Sequence, residues 1–425
     1  MIKKLGLVFV LVVSCNVLYS QISFDVNNLD IYNKENLLMH DTSVFHLIQI
    51  PLLNLDIDMY SHPGFFTFFE TTNNSVLIDL EAYNHHIDDF ATHLVDIKNS
   101  LFYYAFEHKQ SIYSFGINHR FFLDVSLSND LVSLLVDGNY QYLNQTIDLD
   151  DNNYINLSNY FSLFFGYTNK FNEQFLLSTK LKLIKGISEI GISNQNSSFL
   201  FNDNFETANN PFSAEINADV EYFFNSDYEL FSNLGVSTDL DLYYNYNEMF
   251  ILYTKVSDLG FIMWEEDQYS SLGYFQFEGL DYELDQVLSS EINNLQDTIM
   301  DIFQVQEISN VHKLRLLPFN VNIGIKYAFD DQVNQINASY SLQKLYNNLL
   351  HTGRFSYVRY FEKHGFSFIP SYSFNKFNYA NFSIMLNKRW KNRFYTNFYL
   401  DNMLGFINQV NNRSIGLGVD IFLLF

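Results

Sequence analysis

The last twelve residues, SIGLGVDIFLLF, place an apolar side chain at every second position: Ile415, Leu417, Val419, Ile421, Leu423 and Phe425. Between them stand Ser414, Gly416, Gly418 and Asp420, before Phe422 and Leu424 turn the second face apolar. Period two marks a β-strand with different surroundings on its two faces. The pattern recurs upstream. In LNLDIDMY, Leu53, Leu55, Ile57 and Met59 alternate with Asn54, Asp56, Asp58 and Tyr60. LSTKLKL (177–183), AEINADVEY (214–222), VSTDLDLY (236–243), VNIGIKYAF (321–329) and FYTNFYLDN (394–402) repeat it. An apolar strand at an open sheet edge invites aggregation. With lipid on one face and a closed ring on the other, the same ending is stable. The last strand then pairs with the first and leaves no edge.

Two stretches change period. DYELDQVLSSEINNLQDTIMDIFQ carries Leu284, Val287, Leu288, Ile292, Leu295, Ile299, Ile302 and Phe303 at helical spacing, behind Asp281 as N-cap. HHIDDFATHLVDIKN puts Ile87, Phe90, Ala91, Leu94 and Ile97 on one helical face. NDLVSLLVDGN reads as a short helical turn closed by Gly138. In a barrel such helices lie in loops, dock on the rim or plug the lumen.

Residues 1–20, MIKKLGLVFVLVVSCNVLYS, predict an export signal, with Lys3 and Lys4 ahead of a short apolar run and cleavage after Ser20. Acylation of Cys15 after lipoprotein-type cleavage is the alternative. Cys15 is the only cysteine, so cleavage at Ser20 leaves no thiol for a disulfide or metal site. No later segment offers about 18 consecutive apolar residues. The expected fold is therefore all-β: one transmembrane antiparallel β-barrel over 21–425, with one or two amphipathic loop or plug helices and an insertion near 281–304.

Composition agrees. Phe, Tyr and Trp number 44, 30 and 2, enough for aromatic belts at two membrane interfaces. A net charge of -24 with 24 scattered cations argues against nucleic-acid binding. The expected location is the cell outer membrane of a Gram-negative envelope, and the expected partners are outer-membrane lipid and the assembly machinery that reads a terminal Phe425.

Several stretches resemble a family of outer-membrane proteins from Bacteroidota known only as a domain of unknown function, and more distantly the long-chain fatty-acid transporter barrels. They are LVSLLVDGNYQYLNQTIDL (131–149), LLSTKLKLIKGISEI (176–190), VSDLGFIMWEED (256–267), FQFEGLDYEL (275–284), LRLLPFNVNIGIKYAF (314–329) and LDNMLGFIN (400–408). The transporter likeness implies fourteen strands. It also implies a passive transporter or channel for small or hydrophobic molecules, with a small hydrophobic ligand. A barrel serving as an accessory in secretion or surface assembly, with a protein partner, is the alternative.

Facing the apolar sides to lipid turns Asp56, Asp58, Glu215, Asp219, Glu221, Asp239 and Asp241 into the lumen, together with Lys180, Lys182 and Lys326. An acid-lined, water-filled lumen would favour cations. Packing of paired charges inside a plugged barrel is the plainer reading. Trp264, ahead of Glu265 and Glu266, reads as an interface anchor. His85, His86 and His93 with Asp88, Asp89 and Asp96 have the residue types of a metal site, but zinc needs three or four convergent ligands. GISEIG (186–191) is one residue too long for a nucleophile elbow. Neither metal, cofactor nor enzymatic activity is expected.

Overall fold

The computed structural model describes residues 46–50, 54–64, 69–71, 76–109, 111–149, 151–172, 174–203, 212–225, 231–247, 249–277, 306–329, 333–390, 393–403 and 413–425. The export signal, Cys15 and the helical insertion near 281–304 lie outside these residues.

The wall is a closed antiparallel β-barrel. It starts with β1 (His46–Gln49) and β2 (Leu55–His62), which occupy one place in the ring. Both pair on one side with β5 (Phe90–His108) and on the other with β21 (Ser414–Leu424). β6 (Ser111–Ser128), β8 (Tyr154–Lys170) and β9 (Phe175–Asn194) follow by consecutive pairing. β11 (Phe212–Phe224) and then β12 (Leu234–Asn245) run along β9 and share the next place, each also pairing with β13 (Phe250–Phe277). β14 (Gln306–Leu316) and β15 (Phe319–Phe329) likewise follow one another along β13, broken by Leu317 and Pro318. β16 (Asn334–Lys344), β17 (Leu349–Phe361), β18 (Phe366–Phe374), β19 (Asn381–Trp390) and β20 (Phe394–Asp401) complete the circuit to β21.

Among the described residues the sheet holds nineteen hydrogen-bonded segments in place of the expected fourteen strands. Three ring places are split by the breaks just named. In addition, β7 (Thr146–Leu149) and β10 (Ser197–Asp203) extend the sheet beyond the wall, where β10 pairs with β11. A separate hairpin joins β3 (Phe69–Thr71) and β4 (Val76–Ile78).

The terminal strand is covered on both edges. Leu47 faces Leu424, Asp58 faces Gly416, and Leu400 faces Leu417. Phe425 exchanges backbone bonds of 2.7 and 3.1 Å with His46 and stacks on its ring. His46, Phe425 and the ends of β5, β6, β8 and β9 at His108, Ser111, Lys170 and Phe175 share one end, called the base. The opposite end is the rim.

Among the described residues, two α-helices stand at the rim: α1 (Leu80–His85) and α2 (Asn129–Val136). Asp79 caps α1 by accepting the Ala82 amide at 2.8 Å, and Ser128 caps α2. Gly138, at φ +79°, lies just past α2. Both helices pack on Ala91 and Leu127, on the face away from the lumen. The helix expected from His85 onward ends at once, because residues 90–108 form β5. There Leu94, Asp96 and Lys98 alternate with Val95 and Ile97, and ladders to β2 and β6 hold both edges. Tertiary pairing overrides the helical spacing.

Alternation sorts the side chains. Leu163, Phe165, Leu181, Leu183, Leu240, Leu242, Ile323 and Ile325 point outward, each at least 40% exposed. Lys182, Ser237, Lys255, Asn322 and Lys326, at alternate positions on these strands, are buried inside.

Candidate functional site

The lumen is layered by side chains from the wall. Nearest the base, Leu47, Tyr103, Ala105, Ile112, Phe164, Tyr395, Phe422 and Leu424 form a buried apolar layer. Lys180 lies over the Tyr103 and Phe164 rings, marking these as interior. Above them is a polar chamber of about 220 Å³. Towards the rim comes a second apolar layer, here called the septum. Tyr160, Ile184, Ile262, Trp264 and Leu317 form one half, and Leu94, Phe122, Leu345, Leu350 and Phe377 the other. Beyond it opens a vestibule of about 930 Å³.

The order repeats strand by strand. Along β6 the interior reads Arg120 in the chamber, Phe122 in the septum, then Asp124 and Ser126 towards the vestibule. Along β13 it reads Asp258, then Ile262 and Trp264, then Glu266 and Gln268.

Ion pairs brace the septum on both sides. Below it, Arg120 grips Asp96 through two bonds of 2.8 and 2.7 Å. Its third nitrogen donates to Asp258 at 3.0 Å, the Pro318 carbonyl at 2.9 Å and the Tyr160 hydroxyl at 3.3 Å. Lys182 bridges Asp239 and Asp258 at 2.6 Å each. Three ring places separate β6 from β13, so the Arg120–Asp258 pair is a chord across the lumen. Asp258 sits at φ +61° beside a register shift between β12 and β13. Its amide donates to Asp239 at 2.8 Å, which helps to hold a backbone conformation uncommon outside glycine. Above the septum, Arg315 bonds Glu189 at 3.1 Å and Glu266 at 2.9 Å, with its guanidinium 3.6 Å from the Phe223 ring centre. Charges removed from water persist when paired and hydrogen-bonded in this way.

The ten charges proposed for the lumen fall into groups. Asp56, Asp58, Lys180, Lys182 and Asp239 line the chamber. Lys326 is buried over the Tyr243 and Tyr253 rings, and Asp241 shares the inner face of β12 with Asp239 and Tyr243. Glu221 lines the vestibule. Glu215 and Asp219 line neither cavity, because their part of β11 rises beyond the wall beside β10. Trp264 is 1% exposed and lies in the septum, so it does not anchor the barrel at a membrane surface. Its neighbour Met263 points outward instead. Of the other residues that carry the ion pairs, Arg120, Asp258, Glu189 and Arg315 were not singled out from the sequence, while Asp96 stood there only beside the histidines and Glu266 only beside Trp264. Their signal is a charge at the inward parity of an otherwise apolar strand, as in FGINHRFFLDV (115–125).

The histidine set does not converge. The Tyr83 hydroxyl and the His93 ring share a hydrogen bond of 2.6 Å, and burial raises the phenol above its ordinary pKa. The other His93 nitrogen contacts Ser61 at 2.8 Å. His85, His86, Asp88 and Asp89 stay at the exposed end of α1, while Asp96 faces Arg120. Among the described residues, no three His, Cys, Asp or Glu side chains group as metal ligands. GISEIG lies within β9, without the strand-to-helix turn of a nucleophile elbow.

Residues 41–400 match a family of unknown function, DUF5723. No curated protein matches. Among solved structures, the P. putida toluene transporter TodX aligns over 91% of this chain and 90% of its own, with 8% identity and a TM-score of 0.39. A Pseudomonas aeruginosa FadL homologue aligns over 89% of each chain, with 10% identity and a TM-score of 0.41. The CymD monoaromatic hydrocarbon channel aligns over 95% of this chain and 94% of its own, with 8% identity and a TM-score of 0.43.

Proposed function

The chain belongs to the DUF5723 family, and from its lumen we propose that it is an outer-membrane barrel passing small uncharged or hydrophobic molecules through a gated lumen. The outward apolar face supports the membrane reading. A row of exposed Leu, Ile and Phe around a closed wall suits lipid, whereas soluble monomers rarely show apolar patches beyond a few hundred Å². Among the described residues no helix is long and apolar enough to cross a membrane.

The observation that carries the transport reading is the sequence of layers: vestibule, apolar septum, polar chamber, apolar base. An ion crossing either apolar layer would shed its water, at a desolvation cost of several kcal/mol. Hydrophobic constrictions block ions by excluding water. A small neutral molecule loses little there. The barrel is therefore proposed to be non-conducting at rest and open to neutral solutes when the layers part.

Reconstitution tests this. Planar bilayers should show little steady ion current, while proteoliposomes should take up a small neutral solute such as toluene or glycerol faster than empty vesicles. Trp264→Ala should raise the ion current by removing the largest septum side chain. A large steady current in the native protein, or no solute uptake above lipid alone, would remove the proposal. A second reading, an accessory barrel in secretion or surface assembly, draws on the extension of β7, β10 and part of β11 beyond the wall. It predicts a stoichiometric protein partner on mild-detergent extraction and native mass spectrometry.

A further inference from the structure

The septum is built from two kinds of support. Leu94, Phe122, Tyr160, Ile184, Ile262 and Trp264 stand on wall strands whose backbones are laddered on both edges. Withdrawing any of them means breaking the wall. Leu345 and Tyr346 instead sit in the turn between β16 and β17, and Phe377 in the turn between β18 and β19. Each turn is closed by a backbone bond of its own, Leu345 to Asn348 at 2.8 Å and Asn375 to Asn378 at 2.9 Å.

Both turns fold into the lumen. Turn tips on a surface are usually polar and face water. Here Leu345 is 3% exposed and Phe377 6%. The Phe377 ring stacks on Tyr60 across the lumen at 5.4 Å, and the Tyr346 ring meets Phe122 at 5.5 Å. Tyr346 also lies within electrostatic reach of Glu189 and of Tyr160, a residue of the other half of the septum. It lines the vestibule floor.

One residue ties both turns to the wall. The Asn348 side-chain amide donates to Asp124 on β6 at 3.1 Å and to the Tyr154 hydroxyl on β8 at 2.5 Å. Its carbonyl accepts from Lys376, in the other turn, at 2.7 Å. We propose that the 345–348 and 375–380 turns form a lid over the chamber, latched by Asn348 between Asp124 and Lys376. Lifting the turns removes Leu345, Tyr346 and Phe377 from the septum and joins vestibule to chamber. The wall ladder stays intact throughout. A solute in the vestibule meets the latch directly, because Asn348 and Tyr154 line that cavity.

The lid rests on the gated-transport reading only for its purpose, and the test separates the two. Trp264 is the septum's own reporter, and Trp390→Phe leaves it as the single tryptophan of the two in the chain. In that background, Asp124→Cys with Asn348→Cys puts thiols where the two side chains now bond, close enough for dibromobimane. A second variant, Asn348→Ala, removes the latch without a cross-link. Acrylamide quenching of Trp264 should rise at least twofold in Asn348→Ala and in the reduced double-cysteine protein. It should return to the native value once the bimane bridge forms, with the bridge verified by mass spectrometry. Solute uptake into proteoliposomes should follow, falling at least tenfold on cross-linking. Quenching that is identical in the native, unlatched and bridged proteins would overturn the lid. Quenching that changes as expected with no uptake in any variant would keep the lid and remove the transport reading.

Discussion

Removing Arg120 tests whether the chord across the lumen holds the barrel together. Its guanidinium is 7% exposed and makes contacts with Asp96, Asp258, Tyr160 and the Pro318 carbonyl. Arg120→Ala leaves the buried Asp96 and the half-buried Asp258 each short of a partner. Asp258 keeps Lys182 at 2.6 Å. Asp96, 4% exposed, keeps Lys98 at 3.5 Å and the Gln343 amide at 3.5 Å. Breaking a buried pair from one side costs roughly 3–5 kcal/mol. The remaining lysines place this case at the low end, about 3 kcal/mol, or about two decades in the folding equilibrium. Asp96→Ala should cost less, about 2 kcal/mol, since Arg120 retains Asp258. The double variant should cost little more than Arg120→Ala alone, giving a coupling of about 2 kcal/mol. The assay is reversible urea unfolding in lipid vesicles, read by tryptophan fluorescence and by heat-modifiable gel migration. Additive single effects, agreeing within about 0.5 kcal/mol, would mean that the pair is solvated and that the chord does not brace the lumen.

Other perturbations probe the remaining features. Leu181→Arg, at an outward position 66% exposed, should cost about 2–4 kcal/mol in vesicles and far less in detergent; equal stability in both would argue against lipid contact there. Gly186→Val should cost about 1–3 kcal/mol and red-shift Trp264 emission, because the Trp264 ring lies over the glycine where a Cβ would stand; an unshifted spectrum would mean that the ring moves aside freely. Deleting Phe425 removes its backbone exchange and ring stack with His46 and should slow membrane insertion several-fold, measured as the folded fraction over time. Insertion at the native rate would show that the closing strand assembles without it.

Parity along a strand explains what the sequence makes legible and what it hides. Where a ladder runs without interruption, every second residue shares a face. Lys180 and Lys182 could therefore be placed inside from Leu181 and Leu183 alone. Trp264 obeys the same rule: Ile262 and Glu266 share its inward parity, and the outward partners are Phe261 and Met263. The adjacent Glu265 and Glu266 suggest an interface anchor, but parity places the ring inside. Asp258 is harder. The register shift near β12 and its left-handed backbone put two successive residues out of step, so no alternation count carries its carboxylate to Lys182. The septum is hidden for another reason. Phe122 meets Tyr346, and Asp124 meets Asn348, across 224 residues of chain. Local pattern says which face a residue takes, but only the ring order says which residues lie opposite one another across the lumen. The inward Leu345 and Phe377 look like stray apolar residues in polar turns until β5 and β6 are set across from them. The gate, unlike the wall, is thus a property of closure, and a sequence change that altered ring order while preserving every strand's alternation would keep the barrel and lose the gate.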